Sequence, residues 1–429
     1  MTELRITIAG HMNHGKTSIV RTLTDDIIFG VVGLRHPTNE VSKQIIRSNA
    51  LEGSLEIYDT PGLELASAAL AEFNEKPTFG GVVNYFKDLI NKGKNKEFDC
   101  DRELETLEHI QSKPDVILYV VGLNQPLNNS YKDEYHILRI SGVRVLPIFN
   151  FVGCKNSSKR DWEEFFESEG CFDFTDYDAH IWDPNKERLL WDRVKAKMQD
   201  EAKAELVEAW RDHRLKRMDE KDGKAASAIV KLLKEVAEIR IEWREEPTDD
   251  EIKKAALEDR HRREFENKVR EIEVEKLNLI LDAYSLKVGK IADVINAKTV
   301  LEGFGPASAG GPLAAPTYGD MIYLLLKPIS DGAKRLFTKD KKTFTIKDFP
   351  YILEVVLCRA LALTRDLRRR GFANDKEPDL ASAKLHMPSD ATPFLKAFDS
   401  SKIKTEEREQ QVLKWIQQPF PESHNKQGV

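Results

Sequence analysis

Apolar residues fall in short dense runs through the first third of the chain: LRITIA at 4–9, LEIY at 55–58, DVILYVV at 115–121 and VRVLPIF at 143–149. Runs of this length and density predict strands covered on both faces of a sheet. A further strand is expected at 43–47 (KQIIR). Between the runs the period lengthens. Ile19, Val20 and Leu23 share one side of a helix after Lys16, and helical spacing recurs near 101–111 and 131–140. Strands alternating with helices predict an α/β domain with a doubly wound, mostly parallel sheet over residues 1–182. Residues 64–99 form a long insertion within it, with VVNYFKDLI as a helix and KGKNK as a basic loop.

After Trp182 the pattern becomes that of charged helices, an elongated all-α region. Asp183 and Pro184 are expected as N-cap and first-turn residues of a helix carrying Leu190, Val194, Met198, Ala202 and Leu206 every four positions. Asp222 with Gly223 is expected to break it, and a second helix then carries Ile229, Val230, Leu233, Val236 and Ala237 until Pro247. Thr248 and Glu251 form a capping box for a third, with Phe265, Val269, Ile272, Leu279, Ala283 and Leu286 on its stripe. Residues 183–298 therefore read as an antiparallel bundle or a coiled-coil arm. Residues 299–429 read as a Gly/Pro-rich linker plus a C-terminal helical region. The stretch GFGPASAGGPLAAPTYG (303–319) is a hinge or an apolar contact loop. Ile352, Val355, Val356, Leu363 and Leu367 then mark a helix that ends at Arg368, Arg369 and Arg370, before a tail expected to be loosely ordered from about 374.

Charge narrows the choice of partners. Of 429 residues 32% are charged and the net charge is −6, which argues against broad phosphate neutralisation, so nucleic acid is not an expected partner. Arg260, Arg262 and Arg263 read as a charged helix face. Cys100, Cys154, Cys171 and Cys358 are too widely spaced for a disulfide framework or a thiolate zinc site. There is no basic-then-apolar leader and no apolar run approaching the roughly 18 residues of a membrane span. A cytoplasmic protein is expected, meeting a membrane only peripherally or through a partner.

The candidate chemistry begins at GHMNHGKTS (10–18), where G-x-x-x-x-G-K-[ST] is complete from Gly10 to Thr17 between a strand and a helix. Backbone N–H groups from Gly10, His11, Met12, Asn13, His14 and Gly15 onward to Ser18 can cradle a diphosphate. Lys16 then reaches the β- and γ-phosphates, and the Thr17 hydroxyl serves Mg²⁺. Asp59-Thr60-Pro61-Gly62 follows the strand LEIY, so Asp59 can hold a magnesium water and Gly62 can offer its N–H to a γ-phosphate. His11 and His14 make an H-x-x-H, but the loop backbone there must wrap phosphate, which argues against a metal site.

GHMNHGKT with DTPG resembles the P-loop GTPases of the translation-factor, Era and TrmE-like class. GHMNHGKTSIVRTLTDDIIFG, YDTPGLE, DVILYVV and LPIFNFV together resemble a bacterial GTPase family with a C-terminal domain of unknown function. That family's genes often neighbour one for a membrane protein, which makes such a protein an expected partner; a homodimer also stays open. The resemblance implies GTP and Mg²⁺ as ligands and a catalytic set of Lys16, Asn13 and Thr38. Asn13 either coordinates K⁺, as its counterpart does in Era and TrmE-like GTPases, or bonds its own loop backbone. Switch I is expected within FGVVGLRHPTNEVSK, where Thr38 closes over Mg²⁺ or merely sits in a turn after Pro37, and Arg35 is a finger or a solvated side chain.

Two positions depart from the pattern. Leu63 stands where elongation factors carry a catalytic His and Ras-like enzymes a water-orienting Gln, and Asn150-Phe151-Val152-Gly153 replaces N-K-x-D. Phe151 can stack on the base as the Lys stem does, and Asp178 or the backbone near Ala179 can complete the pocket. The expected function is a Mg²⁺-dependent, slowly hydrolysing GTP switch that signals through its helices to a protein partner, at the inner membrane or free of it. The alternatives are a nucleotide-binding scaffold that hydrolyses little and an ATPase of the same fold.

Overall fold

The computed structural model describes residues 2–24, 41–46, 53–73, 76–93, 100–154, 157–242, 251–284, 343–345, 351–369, 388–396, 398 and 404–418. They belong to two compact units, Met1–Lys216 with Arg369–Lys376, and Arg217–Arg368 with Glu377–Val429.

The first unit is built on a six-stranded sheet. Its strands are β1 (Thr2–Ala9), β2 (Ser42–Ile46), β3 (Gly53–Asp59), β4 (Val116–Gly122), β5 (Val145–Asn150) and β6 (Thr175–Asp176), in the order β2-β3-β1-β4-β5-β6. All neighbours are parallel except β2, which runs antiparallel to β3. Helices α1 (Lys16–Thr24), α2 (Ala66–Ala71), α3 (Phe79–Asn91), α4 (Cys100–Gln111), α5 (Asn129–Ile140), α6 (Lys159–Ser168) and α7 (Pro184–Lys197) flank it.

Side chains alternate across the central strands and divide the core in two. Leu4, Ile6 and Ile8 of β1 with Val116, Leu118 and Val120 of β4 face one cluster, completed by Ile19, Val20 and Leu23 of α1. Ile117, Tyr119 and Val121 face the other, with Phe86, Leu107, Tyr135, Trp162 and Phe166. The first cluster continues into Leu190, Trp191 and Val194 of α7 and into Leu206, Val207 and Trp210 at the start of α8 (Glu201–Ala237). The unit therefore runs past residue 182 to Lys216.

The helices after Trp182 differ from the sequence expectation at their breaks. Asp183 caps α7 as expected, accepting from the N–H groups of Asn185 and Lys186 with Pro184 in the first turn. The stripe from Leu190 to Leu206 is not one helix, however. It stops at Met198, whose ψ of 138° is extended, and restarts after Asp200, which accepts from Ala202 N at 2.9 Å. The expected break at Asp222 and Gly223 does not occur, because α8 runs straight through both. The Asp222 carboxylate accepts from the Tyr284 hydroxyl at 2.6 Å and Arg368 Nε at 2.8 Å, instead of competing for helix backbone.

The second unit holds the rest of α8, α9 (Glu251–Ala283), α10 (Tyr351–Arg369), α11 (Ala391–Lys396) and α12 (Thr405–Gln417). A two-stranded antiparallel sheet pairs β7 (Arg240–Glu242) with β8 (Thr343–Thr345). On α9, Phe265 and Val269 are buried as expected, but Leu279 is exposed and Leu277, Ile280 and Leu281 are buried in its stead. The tail is not loosely ordered throughout: α12 buries Val412, Trp415 and Ile416. Pro247, Thr248, Leu286 and the 303–319 segment lie outside the described residues.

Candidate nucleotide-binding site

The Gly10–Gly15 loop leaves the carboxyl end of β1, between β3 and β4, and enters α1. Two glycines are dictated by space and backbone. A Cβ on Gly10 (φ 141°) would stand 2.4 Å from Val120 O, and one on Gly15 (φ 91°) 2.2 Å from Asn150 Nδ2. Asn13 is exposed with φ of 64°, a left-handed conformation that Asn adopts more readily than most residues. His11 and His14 contribute backbone to the loop while their rings pack on Tyr131, at 4.6 Å and 4.8 Å between centroids. Burial, with the Lys16 charge beside them, lowers His11 to about 4 and His14 to about 3, so both are neutral at pH 7.

Lys16 is buried at the start of α1, and its Nζ donates to His11 O at 3.0 Å. Burial pulls its ammonium below the ordinary lysine value, opposed by Asp59, Glu134 and Glu64. The Thr17 hydroxyl donates to Asp59 Oδ2 at 2.5 Å, which joins the loop to the end of β3. These are two hard oxygen donors in contact beside a helix N-terminus, the donor chemistry Mg²⁺ takes. Gly62 closes against the loop, and a Cβ there would stand 2.9 Å from Met12 N. Ser18 follows in the first turn of α1.

Two carboxylates that no motif marks hold the next three residues. Leu63 N donates to Glu134 Oε1 of α5 at 3.0 Å. Leu65 N donates to both oxygens of Glu103 of α4, at 3.0 Å and 3.2 Å, and the Glu64 N–H adds to the same carboxylate. Burial raises Glu103 to about 8 and Glu134 to about 7, against the hydrogen bonds that favour their charged forms. A signal for both was present in the sequence. Glu134 falls in step with Tyr131, Tyr135 and Leu138, and Glu103 with Cys100, Leu107 and Ile110, so each is an acid on an apolar stripe. Leu63 itself is buried at 2% exposure and presents no side chain to the loop.

On the opposite flank, Asn150 ends β5 fully buried, donating to His14 O at 2.9 Å and accepting from Ala179 N at 3.0 Å. Phe151 follows with φ of 58° and reaches Gly15, its Cζ lying 3.6 Å from where a Cβ would stand. Asp178 accepts from Val152 N at 3.1 Å and His180 N at 2.9 Å. The structure thus gathers Gly10–Ser18, Asp59, Gly62, Asn150 and Phe151 at one end of the sheet. Thr38 and Arg35 lie outside the described residues.

Residues 5–150 match the family described as 50S ribosome-binding GTPase. No curated protein matches the chain. Among solved structures, Era in complex with MgGDPNP and nucleotides of 16S ribosomal RNA is 13% identical, with a TM-score of 0.29 over 42% of this chain and 52% of that one. The bacterial selenocysteine-specific elongation factor EF-Sec is 15% identical, with a TM-score of 0.29 over 46% and 28%. The G domain of the T. maritima FeoB iron transporter is 13% identical, with a TM-score of 0.27 over 46% and 99%. The chain spans about half the length of the Era structures it matches.

Proposed function

We propose that this chain, whose residues 5–150 carry a P-loop GTPase domain, is a Mg²⁺-dependent GTP switch with slow intrinsic hydrolysis. One observation carries the reading: the Thr17 hydroxyl lies 2.5 Å from Asp59 Oδ2 while Gly62 abuts the phosphate loop, so a single ligand at that loop meets both motifs. Thr17 and Asp59 would hold Mg²⁺, which when bound neutralises charge on the β- and γ-phosphates. Lys16 would exchange the His11 carbonyl for phosphate oxygens, and the N–H groups at the start of α1 would wrap the β-phosphate. Thr38 would close from switch I. Asn13, exposed at the loop apex, would bring K⁺ to the phosphates.

The test is calorimetry with GDP and GTP, with and without Mg²⁺. Charge-assisted hydrogen bonds are worth about 1.5–3 kcal/mol each, so Lys16→Ala should weaken binding by roughly 100-fold. Absence of binding by the unaltered chain would remove the reading. Hydrolysis should run faster in K⁺ than in Na⁺; equal rates would remove the cation role of Asn13.

A second reading, a nucleotide-binding scaffold with little hydrolysis, is favoured by the burial of Leu63, which leaves the usual water-directing position without a polar side chain. Single-turnover assays separate the two, since no phosphate release with or without a partner would support the scaffold. ATP outcompeting GTP would make the chain an ATPase. The partner in either case would be a protein, with a membrane protein first to test. Among the described residues no helix is long and apolar enough to cross a membrane.

A further inference from the structure

The base-facing side of the site has its carboxylate in a different loop from the one that reads guanine in N-K-x-D proteins. There the Asp accepts from N1 and the 2-amino group; here the position is Gly153, and a Cβ on it would meet nothing within 4 Å. Asp178, in the loop after β6, is engaged by backbone. Its two oxygens take the N–H groups of Val152 and His180, with His180 Nδ1 a further 3.4 Å away, and so tie the loop after β5 to the loop after β6. Asn150 ties the same two loops to the phosphate loop, through His14 O and Ala179 N.

What these struts hold in place is an aromatic pair. Phe151 keeps a left-handed backbone that a bulky residue rarely adopts, and its neighbours on both sides are pinned by the bonds just described. Its ring stacks with His180 at 5.4 Å between centroids and 28° between planes, beside Gly15. Both rings are half-exposed. Stacking on aromatic side chains is indifferent to a base's hydrogen-bonding edge, since every base offers a π-face.

We propose that the nucleobase is recognised by stacking on the Phe151–His180 pair, with no carboxylate at position 153 to read the guanine 2-amino group and N1, so that the site accepts purine nucleotides as a class. This rests on the phosphate-loop reading and widens its ligand from guanine nucleotides to purine nucleotides. The experiment is calorimetry of the full chain with Mg²⁺ and GDP, IDP or ADP, where IDP lacks only the 2-amino group. GDP and IDP should bind within about threefold of each other and ADP within about tenfold. Phe151→Ala should weaken all three alike, by roughly 10- to 100-fold. Gly153→Asp, which enters open space, should open a GDP-over-IDP preference of about tenfold or more. A preference for GDP over IDP or ADP beyond about 30-fold in the unaltered chain would overturn the proposal, as would a folded Gly153→Asp variant with no change in ratio. If that variant fails to fold, the unaltered ratios and Phe151→Ala decide. Binding of none of the three would instead overturn the phosphate-loop reading beneath it.

Discussion

Leu63 N and Leu65 N end on carboxylates that are themselves shut away from water, and the consequences are specific. Restoring a water-directing side chain by Leu63→Gln would place an amide in an apolar cluster, which costs about 1–3 kcal/mol. Thermal unfolding should show that loss, and single-turnover hydrolysis should show no acceleration. Glu103 has its folded value raised to about 8 from 4.5. The stability it confers is fully present below pH 4.5 and is lost as pH rises through about 8. Glu134 behaves alike up to about 7. His11 and His14 act in the opposite sense, being lowered from 6.5, so stability falls as pH drops from 6.5 toward 4. Between pH 8 and 6.5 only the carboxylates' part of this balance changes. Unfolding curves of Glu103→Gln should therefore lack part of the gain that the unaltered chain shows on acidification across that window. The phosphate-loop residues were legible because their chemistry is local. The glutamates were visible as misplaced acids, but their targets lie 38 and 71 residues away and no spacing announces them.

Helix ends obey local rules only where the side chain has no distant claim on it. Asp183 caps its helix as the sequence predicts, because its oxygen accepts from the nearby N–H groups of Asn185 and Lys186. Asp222, which the sequence predicts as a breaker, does not break its helix, because its partners, Tyr284 and Arg368, lie far along the chain. Gly223 then sits in mid-helix with nothing near a prospective Cβ. Gly223→Ala should accordingly stabilise the chain by about 0.5–1 kcal/mol, read as a rise in unfolding temperature. The helix α6 carries Trp162, Phe165 and Phe166 at helical spacing, a pattern that was readable, whereas β6 is two residues long and leaves no period to read.

At the scale of the whole molecule, the change of composition after Trp182 is a change of helix content and not the edge of the first unit. Leu190, Trp191, Leu206 and Trp210 pack into the sheet's core, and Arg214 donates to Leu23 O and Thr22 O at the end of α1. Hydrogen exchange tests the switch at this scale. GTP analogue against GDP should alter protection at Gly62–Leu65 and in α5, and changes reaching α9 or α10 mark signalling, whereas their absence favours the scaffold. The three amides moored to Glu103 and Glu134 give any such movement a chemical by-product. Drawing that segment away admits water to two acids that burial raises to about 8 and about 7, and near neutrality they would release part of their protons. Each stroke should thus acidify its medium, and calorimetry in buffers of unequal ionisation heat should count the protons shed.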